Sequence, residues 1–251
     1  MKCGNRGTRL STSSFGVMHM SVLEISGLNA WYGESHALHG IDLSVATGEV
    51  ITLVGRNGAG KSTTMKSIVG LMRRATGSIS LFGNEVLGQS SHLIARAGVG
   101  FCPEHRGVFG KLTVQENLAI LPKVSKLAMS DRELHELFPN LAERRKALAG
   151  QLSGGEQQML AIARILKAGF PLLLLDEPTE GLAPVIVKLI ARAIEQLKGR
   201  GFTLILVEQN LRFALRLSDR HYVLEEGHLV EVLTRAEAAA DVQRIQKHLT
   251  A

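Results

Sequence analysis

Residues Gly55, Arg56, Asn57, Gly58, Ala59, Gly60, Lys61, Ser62 and Thr63 spell GRNGAGKST, and this stretch decides the fold. It matches G-x-x-x-x-G-K-[S/T], with Gly55, Gly60, Lys61 and Ser62 in register. Before it, Val50-Ile-Thr-Leu-Val54 is a continuous apolar, β-branched run of the kind found in buried parallel strands. After it, Met65, Ile68, Val69 and Met72 recur at helical spacing, which predicts a helix over 61–71. Strand, glycine loop and helix together make a phosphate cradle. Glycines let successive N–H groups turn toward one anion, and the helix N-terminus adds about half a positive charge. Lys61 supplies a full charge for β and γ phosphates, and the Ser62 hydroxyl is placed for Mg²⁺. The loop by itself specifies a nucleoside triphosphate and nothing narrower.

Working outward, Leu172-Leu-Leu-Leu-Leu-Asp-Glu-Pro178 is an apolar strand that ends in acids. Asp176 falls at the carboxyl edge of a sheet, where open α/β sheets bind ligands, and is expected to hold Mg²⁺ with Ser62. Glu177, one residue on, is the natural general base for a water attacking a γ-phosphate. A third stretch, Leu152, Ser153, Gly154, Gly155, Glu156, Gln157 and Gln158, opens a helix with an apolar stripe at Met159, Leu160, Ile162, Ala163, Ile165 and Leu166. Ser153 and the N–H groups of Gly154 and Gly155 form an anion site at a helix N-terminus; an ordinary N-cap reads the same way until the order of the three motifs is considered.

The rest of the chain sorts into three regions. Val22–Ile25, Ile41–Val45 and Gly77–Leu81 read as strands of an antiparallel sheet wrapped around the phosphate-loop strand. Residues 90–150 read as mostly helical, broken at Pro103, Pro122 and Pro139. Within them Ser130-Asp-Arg-Glu133 is a capping box, and a second helix is expected over 141–149 with Gly150 closing it. After residue 170 the pattern alternates: strand 172–175, helix 185–198, strand 203–207, helix 211–217, a hairpin over 221–232, and a last helix with Val242, Ile245 and Leu249 on one face. The fold class is α/β, a phosphate-loop core with an antiparallel β subdomain and an inserted helical subdomain over about 90–160.

Composition bounds the function. Hydrophobic content of 45% and charged content of 21% are those of a globular protein, and no run of about 18 apolar residues is present. Cys3 and Cys102 cannot build a disulfide framework and suit a reducing compartment. The net charge of +6 is concentrated partly in an acid-free start carrying Lys2, Arg6 and Arg9, and aromatics are only 4%, which argues against a nucleic-acid partner. Residues 1–20 lack an apolar signal region. They read as a disordered tail or as upstream sequence before a true start at Met18 or Met20, with the ordered domain spanning 21–251.

The three motifs in this order resemble the ATP-binding cassette ATPases, LSGGEQQ being the most specific of them, over roughly residues 22–232. The resemblance implies ATP and Mg²⁺ as cofactors and a head-to-tail dimer in which Leu152–Gln157 serve a partner's nucleotide. It also implies that Tyr32 stacks on adenine. Residues 32–36, 103–109, 112–117, 179–184 and 207–210 further resemble branched-chain amino acid importer ATPases of the LivF type, with a urea or short-amide importer subunit as the alternative. Such importers imply a second cassette, two membrane permeases and, indirectly, a periplasmic binding protein, on the cytoplasmic face of the inner membrane; a homodimer is possible in isolation. Against the broader family pattern, Glu104 stands for a glutamine that senses Mg²⁺, Gln209 for a histidine at the γ-phosphate, and Ala183 for a loop aspartate. The resemblance makes Lys61, Glu177 and Gln209 the catalytic set and Ser62, Asp176 and Glu104 the metal set. The departures lead us to expect two unequal sites in a heterodimer. It also places a permease helix in a groove near 104–117, with Phe109, Leu112 and Val114 as the apolar dock. Two other classes fit less well: a DNA- or ribosome-acting cassette protein would need a coiled-coil insert or two cassettes, and a kinase has no use for LSGGEQQ.

Overall fold

The computed structural model describes residues 21–249; the expectations for residues 1–20 lie outside them. Two sheets form the frame. The first is antiparallel and four-stranded, in the order β2-β1-β4-β5, with β1 (Ser21–Tyr32), β2 (Ser35–Ala46), β4 (Arg74–Leu81) and β5 (Asn84–Glu85). The second has six strands in the order β10-β9-β3-β8-β7-β6. Its members are β3 (Val50–Val54), β6 (Val99–Cys102), β7 (Leu172–Asp176), β8 (Thr203–Val207), β9 (Arg220–Glu225) and β10 (His228–Thr234). All of its pairings are parallel except β9 with β10.

Strands β3, β7 and β8 are buried at every position, because both faces of the sheet are covered. Leu173, Leu175, Leu204 and Leu206 face one core with α6 (Gly154–Ala168) and α7 (Pro184–Gly199). Leu172, Leu174, Ile205 and Val207 face another, with α1 (Lys61–Ile68) and the antiparallel sheet. A third, small core joins α8 (Leu211–Leu217) and α9 (Arg235–Ala240) to Ile245 of α10 (Gln243–Gln246).

The structure departs from the sequence reading in several places. Helix α1 stops at Ile68, not at residue 71, because Gly70 takes φ 71°, and Met72 reaches the core from the loop beyond. Strand β1 runs twelve residues, not four, carried past its register shifts by pairing on both sides. The stretch 90–150 is less helical than expected. It contains α2 (Ser91–Arg96), α3 (Val114–Ala119), α4 (Asp131–Leu137) and α5 (Pro139–Glu143), but also β6, the edge strand of the six-stranded sheet. β6 is four residues, one of them Gly100, and follows Gly98, so it is too short and too small to show a period. The helix expected over 141–149 ends at Glu143, and Gly150 lies in a 3₁₀ turn (Ala149–Gln151) against Gly110 rather than closing a helix. Helix α9, unmarked in the reading, is opened by a capping box of Thr234 and Glu237.

Candidate nucleotide site

The phosphate loop leaves β3 and enters α1 through Gly60, held at φ 101° as the N-cap. The loop's glycines also answer to packing. A Cβ on Gly55 would sit 2.2 Å from the Leu224 carbonyl oxygen of β9, and one on Gly60 would sit 2.7 Å from Leu38 of β2. Lys61 folds back over the loop, its Nζ donating to the Gly55 and Arg56 carbonyls at 2.8 and 2.9 Å. Burial lowers its pKa, and the charges of Glu177 and Asp176 pull it back up.

Asp176 closes β7, 3% exposed, and accepts a hydrogen bond from the Ser62 hydroxyl at 3.1 Å. Burial raises its pKa, the Ser62 bond opposes this, and Glu177 and Glu104 raise it further. Glu177 is held in the left-handed region at φ 48°, its N–H bonded to the Val207 carbonyl at 3.0 Å. Such a backbone costs about 1 kcal/mol for a residue with a Cβ and turns its side chain out of the sheet edge. The Gln209 amide donates to both Glu177 oxygens, at 2.8 and 2.9 Å.

Lys61, Ser62, Glu177 and Gln209 share one pocket of about 290 Å³, lined also by Asn57, Gly58, Gly60, Thr63, Glu104 and Glu180, with Asp176 buried behind Ser62. Gly55 and Arg56 line an adjoining cavity with Asn57, Gln209 and Leu249, and Ala59 is buried beneath the loop. Tyr32 stands at the end of β1, 49% exposed, its hydroxyl 3.4 Å from that of Thr63. Leu152–Gln157 do not line the pocket. They open α6 through a capping box, the Glu156 N–H donating to the Ser153 hydroxyl and the Ser153 N–H to the Glu156 carboxylate. The Arg106 guanidinium lies where a Gly154 Cβ would be 3.1 Å away, and donates to Gln157 at 3.2 Å.

Three contributors were not legible in the sequence. Glu180 adds a third carboxylate to the pocket, beside Glu104 and Glu177, and its hydrogen bond to Glu177, with that group's charge, raises its pKa. Glu208, 2% exposed, accepts the Thr179 hydroxyl at 2.9 and 3.1 Å and the Asn210 N–H at 3.3 Å, and burial pushes it up to about 7. It ties the loop after Glu177 to the loop carrying Gln209. Asn117, fully buried on α3, bonds Phe109 at its N–H and its carbonyl, and donates to the Leu112 and Thr113 carbonyls. Phe109 is thereby presented at 51% exposure, whereas Val114, expected beside it in the dock, is fully buried core, and Leu112 is half-buried.

A phosphate loop, a strand-end carboxylate and a positioned glutamate define a nucleoside triphosphatase of the phosphate-loop class. Comparison with known proteins narrows the class. The ABC transporter family model matches residues 38–180. The chain is 47% identical over 213 residues to the high-affinity branched-chain amino acid transport ATP-binding protein BraG of Pseudomonas aeruginosa, covering 83% of this chain and 91% of that protein. It is 40% identical to the probable branched-chain amino acid transport ATP-binding protein LivF of Archaeoglobus fulgidus, over 80% of this chain and 87% of the other. The dimeric structure of MJ0796, a bacterial ABC transporter cassette, superposes with a TM-score of 0.72 at 24% identity, over 85% of this chain and 98% of that one. The chain belongs to the ABC transporter family, as one of its ATP-binding, ATP-hydrolysing cassettes. Among the described residues no helix is long and apolar enough to cross a membrane.

Proposed function

We propose that this cassette hydrolyses ATP to drive uptake of branched-chain amino acids, as one of two unequal ATPase subunits docked on two membrane permeases at the cytoplasmic face of the membrane, with a periplasmic binding protein delivering substrate. The observation that carries the substrate is the likeness to BraG and LivF, whose names specify branched-chain amino acid transport. The likeness covers nearly all of those proteins.

The chemistry follows from the pocket. Lys61 and the α1 N-terminus bind the β and γ phosphates, and Tyr32 offers its exposed ring to the base. Glu177 takes the proton of the attacking water. Gln209, donating to both Glu177 oxygens, orients that carboxylate. Ser153, Gly154 and Gly155 act on the nucleotide of the partner cassette, so hydrolysis depends on dimer closure. Ser62 and Asp176 fit Mg²⁺: a buried acid of raised pKa lies against a hydroxyl, and no group of three or more His, Cys, Asp or Glu among the described residues could complete a protein cage. Such a site suits an ion that keeps water and phosphate oxygens in its shell, with Glu104 at its margin. Mg²⁺ there would neutralise phosphate charge.

The test is purification of the intact complex from native membranes, identification of its subunits, and titration of the accompanying binding protein with leucine, isoleucine, valine and urea. Two permeases, a second cassette and saturable leucine, isoleucine or valine binding are expected. Saturable urea binding alone would replace the substrate; copurifying ribosomal proteins without a permease would overturn the transport reading.

A further inference from the structure

Four rings stand in a row where β2 meets β10. Trp31 of β1 lies against His36, with ring centroids 4.4 Å apart and planes 11° from parallel. His36 is 3.9 Å from His39, and His39 stacks on His228 of β10 at 4.5 Å and 12°. Two of these three contacts are face to face, and among the described residues no group of three or more His, Cys, Asp or Glu could hold a metal ion. The backbone beside the row leads to the nucleotide. The His39 N–H donates to the Gly227 carbonyl, in the turn between β9 and β10, at 2.8 Å. The Gly227 N–H donates in turn to the Ala59 carbonyl of the phosphate loop at 3.1 Å. The contact is close: a Cβ on Gly227 would sit 2.4 Å from the Ala37 carbonyl oxygen and 2.8 Å from the His39 ring.

Three of the four rings can take a proton, and imidazolium ions this close repel one another. Among the described residues none of the three imidazoles pairs with a carboxylate; the His36 Nε2 meets the Asn29 Oδ1 at 3.1 Å. Burial, then the charges of His36 and His228, lower the His39 pKa from the ordinary 6.5. The other charges on the surrounding elements are engaged or exposed. Arg74 of β4 lies over the Trp31 ring and pairs with Glu34. Asp42 accepts the Gly27 N–H, Glu225 pairs with His248, and Glu231 with Arg244. Lys61 is bonded to loop carbonyls, and Glu226 is exposed at the turn. We propose that the His36–His39–His228 row is a proton-sensitive clamp on the phosphate loop: neutral imidazoles hold β2 to the β9–β10 turn, and protonating them loosens the loop and weakens ATP binding. His39 is then a positioning residue, acting on the nucleotide through Gly227 and Ala59. The clamp's contribution is complete above pH 6.5 and is lost as pH falls through the lowered value. It needs only the nucleotide site and holds whatever solute is transported.

The experiment measures the Kd of the full chain for ATP with Mg²⁺ by calorimetry at pH 7.5 and pH 5.5, in the wild type and in His39→Phe, which keeps a stacking ring and removes the charge. Protonation of the nucleotide itself is common to both proteins and cancels in the comparison. The wild-type Kd should rise about three- to tenfold more than that of the variant, tenfold being the limit for one imidazole of ordinary pKa that must stay neutral. His39→Arg should bind at pH 7.5 as weakly as the wild type does at pH 5.5. Trp31 is the chain's single tryptophan, so its fluorescence follows the row in the unaltered protein. Its emission should titrate with pH, and saturating ATP should move the midpoint to lower pH, because coupling between proton and nucleotide is reciprocal. Should either variant melt below the assay temperature, the wild-type fluorescence decides alone. An equal pH dependence in His39→Phe and the wild type, or a Trp31 midpoint that ATP leaves in place, overturns the inference and leaves the ATP site standing.

Discussion

Glu177 follows the buried strand β7 in the left-handed backbone region, at φ 48°, and lines the pocket of the phosphate loop. Its two hydrogen bonds from Gln209 hold the carboxylate in place. Glu177→Gln is expected to cut kcat by about 10²–10⁴-fold, the usual worth of a positioned general base, with ATP binding retained. Turnover unchanged in the assembled complex would move hydrolysis to the other cassette's site. Lys61→Ala should weaken nucleotide binding itself, measured as Kd, since it removes both the phosphate charge and the two bonds that tie down the loop. Glu208 offers a different signature. Its folded pKa is raised from the ordinary 4.5 to about 7, so the folded state holds the proton more tightly than the unfolded. The stability this confers is complete below pH 4.5 and is lost as pH rises through 7. With each tenfold in proton affinity worth about 1.4 kcal/mol, Glu208→Gln should remove a pH-dependent slope of about 3 kcal/mol over that window, read as urea midpoints at pH 5 and pH 8. A wild-type slope retained in the variant would refute the assignment.

Helix α6 carries both the signature motif and Arg164, and its start is locked by contacts on three sides. The capping box closes it from within, Arg144 reaches Glu156 at 3.5 Å, and α7 packs Ile186 over Gly155. A Cβ at Gly155 would meet Ile186 Cγ1 at 2.9 Å. Alanine gains about 1 kcal/mol of helix propensity over glycine, but overpacking costs about 1–3 kcal/mol, so Gly155→Ala should be neutral to destabilising by thermal denaturation. Introduced into an Ile186→Ala background, the same change should become stabilising. A cost of equal size in both backgrounds would mean that the glycine is needed for its backbone and not for this contact.

Across the whole molecule, two buried ionisable groups pull stability in opposite directions with pH. His221 of β9 is fully buried, neither ring nitrogen has a partner, and burial followed by the charge of Arg235 lowers its pKa from 6.5 to about 4. Its contribution is present above pH 6.5 and lost as pH falls through 4, the reverse of Glu208. Between pH 4.5 and 6.5 the two slopes offset. His221→Leu should therefore leave the chain more stable at pH 5 than at pH 7, relative to the wild-type difference, and Glu208→Gln should do the opposite. Parallel pH profiles for the two variants would show that neither group titrates as its surroundings dictate.

The sequence by itself determined the phosphate loop, its strand and helix, the acidic end of β7, the signature at the head of α6 and the alternation after residue 170. Each of these is a local matter: a spacing, an apolar run or a cap is complete within a few residues of its own chain. The structure alone decided what depends on distant residues meeting. β6 is a strand because β7 lies beside it to supply hydrogen bonds, not because four residues with a glycine among them prefer to be one. Val114 is core and Phe109 is surface because Asn117 fastens the loop between them, a distinction that apolar character cannot make. Gln209 rests on Glu177, and Glu208 on Thr179, only because β7 and β8 are neighbours in the sheet. Arg164 of α6, one more cation on an amphipathic helix in the sequence, becomes a buried charge whose Nη1 finds no hydrogen-bond partner among the described residues once β6, Phe109 and Cys102 close around it. Burial and pairing belong to the assembled fold, and with them the electrostatics of the site.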